Sequence, residues 1–228
     1  MTWMANALSS SVGKKFVMGV TGLLLCGFLV FHLAGNLLLY VGADAYNHYA
    51  HTLHEQKLLV AIAEVGLLVL FAAHIFLAFK TTQENRAARR VEYQTKKSKL
   101  QGRMIGELVS PEGWMFVSGA IVLAFLILHL SDFRFSLRLQ GDAGEEPFAK
   151  AVRILQDRFS FWVYFLGCLI LGVHLGHGFS SAFQSLGIAH PKYNALIRWV
   201  GVGFAILVAV GFASFPWWAS FATQPSGQ

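Results

Sequence analysis

Four histidines, His32, His74, His129 and His174, stand one each in four long apolar runs of this 228-residue chain. A fifth apolar run, 195–218, holds none. An imidazole in hydrocarbon is costly and needs a local reason. A neutral imidazole is also a common metal ligand, and two of them from facing helices can hold a haem iron from both sides. The four histidines therefore read as two bis-histidine haem sites inside a helix bundle. Two neutral axial ligands leave the iron six-coordinate, a state suited to electron transfer.

The elements that must position these residues are the apolar runs at about 16–41, 58–80, 113–137, 159–183 and 195–218, each long enough to span a bilayer. Composition agrees. Hydrophobic residues make up 55% of the chain and charged residues 13%, against roughly 25% charged in ordinary soluble proteins. No soluble core is left over. The expected fold is all-α and integral to the membrane, one domain over 1–228, with the first four helices forming a di-haem four-helix bundle.

The formal net charge of +6 falls in the connections between runs. There it sets topology and meets anionic lipid headgroups, and nucleic acid is not the expected partner. Cys26 and Cys168 lie in apolar runs without a CxxC and read as small hydrophobes. The first run is too long for a cleavable signal peptide and contains His32. Residues 1–11 are mildly amphipathic and suit the interface. No internal repeat is apparent beyond the helix periodicity.

Lys14, Lys15 and the basic stretch from Lys80 to Arg103 place their ends of the helices in the cytoplasm by the positive-inside rule. The amino terminus is then inside and the carboxyl terminus outside. His32 and His129 both lie on outward-running helices, at similar distances from the outer ends. His74 and His174 lie on inward-running helices at a matching depth. The expected pairs are His32 with His129 (outer) and His74 with His174 (inner), on levels about 10 Å apart. His177, just past His174, is the rival fourth ligand. Each ligating imidazole needs an acceptor for its second nitrogen, from a backbone carbonyl or a Ser/Thr hydroxyl.

Haem propionates need cations. Arg134 is the first candidate, with a snorkelling interface anchor as its alternative role. Lys80 and Arg198 are candidates at the inner face. The spacing of His48, His51 and His54 suggests one helical face. A zinc site, proton handling and ordinary surface roles are all open for it.

Several stretches carry a family resemblance: Ser10-Ser11-Val12-Gly13-Lys14-Lys15, Thr21-Gly22, His32-Leu33-Ala34-Gly35-Asn36 and Asn47-His48-Tyr49-Ala50. The chain resembles the cytochrome b membrane-anchor subunits of succinate dehydrogenases and fumarate reductases, in the single-subunit, five-helix, two-haem form. The resemblance implies haem b ligation by His32 and His129 on one haem and by His74 and His174 on the other. It implies a bacterial cytoplasmic membrane location, with a flavoprotein carrying FAD and an iron–sulfur protein on the cytoplasmic face. The chain would pass electrons between the iron–sulfur subunit and a membrane quinone, often menaquinone, whose headgroup would find Asn36, Tyr46, His48 and Glu55 near the outer haem or Ser118 and Trp114 near the inner one. Dicarboxylate chemistry would occur on the flavoprotein, so no residue here is expected to be catalytic. Succinate oxidation is the favoured direction and fumarate reduction the alternative. In some fumarate reductases of this type an acidic residue two positions before the last ligand moves protons; here that position is Gly172, which puts such a path in doubt. Rival readings are the cytochrome b subunit of a hydrogenase or another dehydrogenase, a haem-free transporter, and a purely structural anchor.

Overall fold

Backbone polar groups in hydrocarbon must be satisfied within their own segment, so an apolar run of this length folds as a helix. The structure, a computed structural model, describes residues 2–88, 111–188 and 190–222. In chain order the elements are α1 (Thr2–Ser9), α2 (Ser11–Asn36), α3 (Leu38–Val41), α4 (Ala43–Glu55), α5 (Lys57–Ala87) and α6 (Pro111–His129). A π-helical turn, Leu130–Arg134, continues α6, and α7 (Pro147–Gln156), α8 (Arg158–Ser185) and α9 (Pro191–Phe221) follow. Among the described residues, five helical segments are long and apolar enough to cross a membrane: Ser11–Val41, Lys57–Ala87, Trp114–Arg134, Arg158–Ser185 and Pro191–Phe221. The protein is an all-helical, multi-pass membrane protein. The part of the basic stretch beyond residue 88 lies outside the described residues.

Local chemistry sets several helix starts. Ser10 accepts a hydrogen bond from the Gly13 amide at 3.0 Å, and Asp157 accepts one from the Ser160 amide at 2.9 Å; both caps satisfy an orphan donor of the first turn. Prolines open α6, α7 and α9, where a missing N–H costs nothing. The third span widens into a π turn at Leu130 and ends at Arg134, short of the expected end near residue 137. Ser136, at φ 50°, stops the helix, and the turn carries Asp132 into the interior.

Helices α8 and α9 share the most extensive contact. Helix α2 packs on both α5 and α8, α6 packs on α8, and α5 barely meets α6. Small residues allow the closest approach. A Cβ added at Gly172 would lie 2.5 Å from the Ala209 Cβ and 3.2 Å from the Ala205 carbonyl, so only glycine lets α8 and α9 meet there.

The two ends of the molecule differ. At one, Lys14 of α2 pairs with Glu84 of α5 at 2.5 Å. The other is capped by α4 and α7 and contains the close-packed core. There α7 inserts Phe148, Val152 and Leu155, with Ile154, against Leu33, Leu39, Tyr164 and Phe215. Asn47 of α4 accepts the Phe148 amide at 2.8 Å, and Gln156 donates to the carbonyls of Ala219 and Ala222, each at 2.8 Å. Dense packing thus centres on the capped end. Along α5, by contrast, the buried side chain is that of Thr81.

Candidate functional site

The first histidine pair lies beside the capped end. His32 of α2 and His129, the last residue of α6, have ring centroids 5.9 Å apart with planes at 82°. Phe28, one turn before His32, stacks on it at 5.1 Å. Phe125, one turn before His129, lies at 6.1 Å from it, and Phe133, one turn after, at 5.2 Å. Phe212 approaches His32 at 5.5 Å and Tyr164 approaches His129 at 5.9 Å. Aromatic rings thus flank both imidazoles. The Asn36 amide donates to the His32 carbonyl at 2.7 Å and sits 3.5 Å from its Nδ1, at the limit of a hydrogen bond.

The second pair, His74 of α5 and His174 of α8, lies toward the Lys14 end, and the two rings are within electrostatic reach of each other. Each is met by a hydroxyl. The Thr21 Oγ1 is 3.2 Å from the His74 Nδ1, and the Ser118 Oγ is 3.2 Å from the His174 Nδ1. Each hydroxyl also donates to a carbonyl of its own helix: Thr21 to Met18 at 3.0 Å and Ser118 to Met115 at 3.2 Å. The glycine after each hydroxyl leaves room for the ring. A Cβ at Gly22 would stand 3.3 Å from the His74 Cε1, and one at Gly119 would stand 3.3 Å from the His174 Cε1. His177 lies near His174; among the described residues its buried Nδ1 has no hydrogen-bond partner, and neither does the Ser180 hydroxyl.

Beside His129 stands a polar cluster that the sequence reading missed. Asp132 is fully buried. It accepts two hydrogen bonds from Arg138, at 2.9 and 2.8 Å, and one from the Tyr164 hydroxyl at 3.0 Å. Arg138 reaches on to the Ser160 hydroxyl and to Asp157. The hydrogen bonds to Asp132 hold the Arg138 guanidinium above its ordinary range. The Ser160 amide, followed by the Ser160 hydroxyl and Arg138, holds Asp157 below the usual carboxylate range. The signal in the sequence was a lone acid inside the third apolar run, 113–137, with Arg138 directly after it.

The remaining expected residues are more dispersed. Arg134 is exposed and makes a two-point pair with Glu64 of α5, at 3.0 and 3.1 Å. Lys80 lies over the Phe76 ring, and Arg198 is exposed. Tyr46 packs against Phe148 at 6.4 Å; burial, and secondarily the neighbouring Tyr49, pushes its phenol up. His48 and Glu55 are exposed on α4. Among the described residues, no hydrogen bond or ring contact joins Asn36, Tyr46, His48 and Glu55. His51 pairs with Glu146 at 2.8 Å and His54 donates to the Ala50 carbonyl at 2.7 Å. No group of three or more His, Cys, Asp or Glu among the described residues could hold a metal ion. Trp114 is exposed, whereas Ser118 is buried against His174.

No family model, no curated protein and no solved structure matches this chain. Fold and site together define a multi-pass helical membrane protein with paired histidines inside its spans.

Proposed function

We propose that the protein is the di-haem cytochrome b subunit that anchors a succinate:quinone oxidoreductase in the bacterial cytoplasmic membrane. The observation that carries this reading is the His32–His129 pair. Two imidazoles from different spans stand with ring centroids 5.9 Å apart, and imidazole is a ligand type that would hold a haem iron. In this reading the first four spans form the bundle, with His32 and His129 as one ligand pair and His74 and His174 as the other. The donor set fits, because all four are imidazoles inside apolar spans, and two of them meet a hydroxyl at the second nitrogen. Haem b bound there would supply one-electron carriage across the membrane.

The chain's own residues have defined tasks in this reading. Phe28, Phe125, Phe133 and Phe212 keep water from the outer pair. Asp132, anchored by Arg138 and Tyr164, fixes the end of α6 next to His129. Lys14 and Lys15, with the basic stretch to Arg103, face the cytoplasm, where the flavoprotein and iron–sulfur subunits dock; the amino terminus lies inside and the carboxyl terminus outside. Arg134, paired here with Glu64, would be the residue to hold a propionate. Membrane quinone, of the menaquinone kind, meets the outer side near Asn36, Tyr46, His48 and Glu55.

Pyridine haemochrome quantitation of the purified complex should give two haems b per chain. His32→Ala and His129→Ala should each remove the same spectral component, and His74→Ala and His174→Ala the other. A flavoprotein should co-purify. A haem ratio near zero in an intact complex refutes the reading. Loss of one component by both His32→Ala and His74→Ala refutes the pairing.

A further inference from the structure

The chain contains a repeat that apolar composition conceals. Met18–Leu33 and Met115–Leu130 align at a constant offset. Met18 falls on Met115, Gly22 on Gly119, Phe28 on Phe125 and His32 on His129, with Thr21 opposite Ser118. The expectation of no internal repeat is thereby corrected. The shared positions do equivalent things in space. Thr21 and Ser118 each donate to the carbonyl of the aligned methionine and each touch the Nδ1 of a histidine on the helical span that follows. Gly22 and Gly119 each face the Cε1 of that histidine. Phe28 and Phe125 each pack on the aligned histidine of their own helix.

We infer that Thr21 and Ser118 are paired positioning residues, which set the ring tautomer and rotation of His74 and His174 and turn a bare Nε2 toward a shared metal. A hydroxyl has one proton. Here it goes to the Met18 or Met115 carbonyl, so the oxygen faces the ring as an acceptor. The Nδ1 must then be the protonated nitrogen, and a neutral imidazole protonated at Nδ1 keeps its lone pair on Nε2. The glycine beside each hydroxyl lets the ring lie against the helix; a side chain there would push it away. Each two-helix unit therefore supplies one ligand of the His32–His129 pair and holds the other histidine for the second pair. Among the described residues, no Ser or Thr hydroxyl is hydrogen-bonded to His32 or His129; the Asn36 amide lies 3.5 Å from the His32 Nδ1. A partner of this kind orients a metal-bound imidazole and raises its basicity.

The inference rests on the di-haem reading, and its test separates the two. Ser118→Ala is the decisive variant, because the Met18 carbonyl also faces the His74 ring and partly substitutes for Thr21. In the purified complex, Ser118→Ala should move one of two haem components to higher reduction potential. That component, the one lost in His174→Ala, should also dissociate roughly 10–100-fold faster. Ser118→Thr, which copies the aligned residue, should restore both properties, and Thr21→Val should act on the same component with a smaller effect. The relay is overturned if Ser118→Ala leaves potential and haem loss unchanged, or if it alters the component that belongs to His32 and His129. If the unaltered chain binds no haem, the di-haem reading fails first. Nitrogen-15 spectra of the His174 ring then decide the relay: a protonated Nδ1 that becomes mixed in Ser118→Ala upholds it, and a protonated Nε2 in the unaltered chain overturns it.

Discussion

Replacing Asp132 by alanine tests how the capped end is held. The carboxylate is fully buried and takes hydrogen bonds from Arg138 at 2.9 and 2.8 Å and from Tyr164 at 3.0 Å. Its removal leaves a guanidinium and a phenol facing a hole. Breaking one side of a buried ion pair costs roughly 3–5 kcal/mol. Arg138 remains 27% exposed and keeps Asp157 at 3.4 Å, which puts the cost at the lower end, about 3 kcal/mol. For a chain of this size, a loss of that order lowers the unfolding midpoint by about 6–12 °C. The readout is thermal unfolding in detergent, followed by a dye that reacts with thiols as buried Cys168 becomes accessible. Glu146→Gln is the control. It removes the His51 partner, in a pair whose side chains are 58% and 53% exposed, and exposed pairs contribute about 0–1 kcal/mol. A shift within about 2 °C for Asp132→Ala, or equal shifts for both variants, refutes the claim that burial makes this cluster hold the end together. Asp132→Leu combined with Arg138→Met should recover much of the loss, since apolar residues can replace a buried pair.

Two other outcomes follow from charge. A reporter fused after Arg90 should be active only in its cytoplasmic form, because the surrounding sequence is basic; periplasmic activity would invert the topology and leave the ligand pairs intact. At the capped end, Arg153 holds Glu145 below the ordinary carboxylate range, and the Ser160 amide does the same for Asp157. A depressed folded-state pKa gives stability that is present above the unfolded value, near 4, and lost as pH falls through the folded value. Protease resistance of the 135–147 segment should therefore persist from pH 7 to about 4 and fall below that; a loss between pH 7 and 5 contradicts both assignments.

The spans were legible because bilayer thickness fixes how long an apolar run must be. Helix α7 was not. Its residues lie in the connection 138–158, which reads as a mixed-charge link, yet Phe148, Val152 and Leu155 recur at helical spacing behind Pro147. That short pattern was the available signal. The order of packing was hidden for a different reason. Helix α5 is apolar on nearly every side, and Leu58, Ile62, Val65 and Phe76 are all exposed. A helix with no polar face has no sequence mark for the side that meets its neighbours.

The site shows the same division between depth and rotation. Histidines are rare enough in apolar runs to be seen, and counting rise per residue places them on levels. Rotation about each helix axis is not counted that way. By depth alone Ser118 is a quinone candidate and Arg134 a propionate partner; rotation sets Ser118 against His174 and Arg134 against Glu64. The repeat supplies the missing coordinate. Thr21 and Ser118 stand equally far before His32 and His129, and each must turn toward the next span's histidine if its hydroxyl is to serve it. One hydroxyl contact therefore fixes the rotation of α2 relative to α5, and its counterpart fixes α6 relative to α8. With those rotations set, the aligned His32 and His129 stand with ring centroids 5.9 Å apart and planes at 82°.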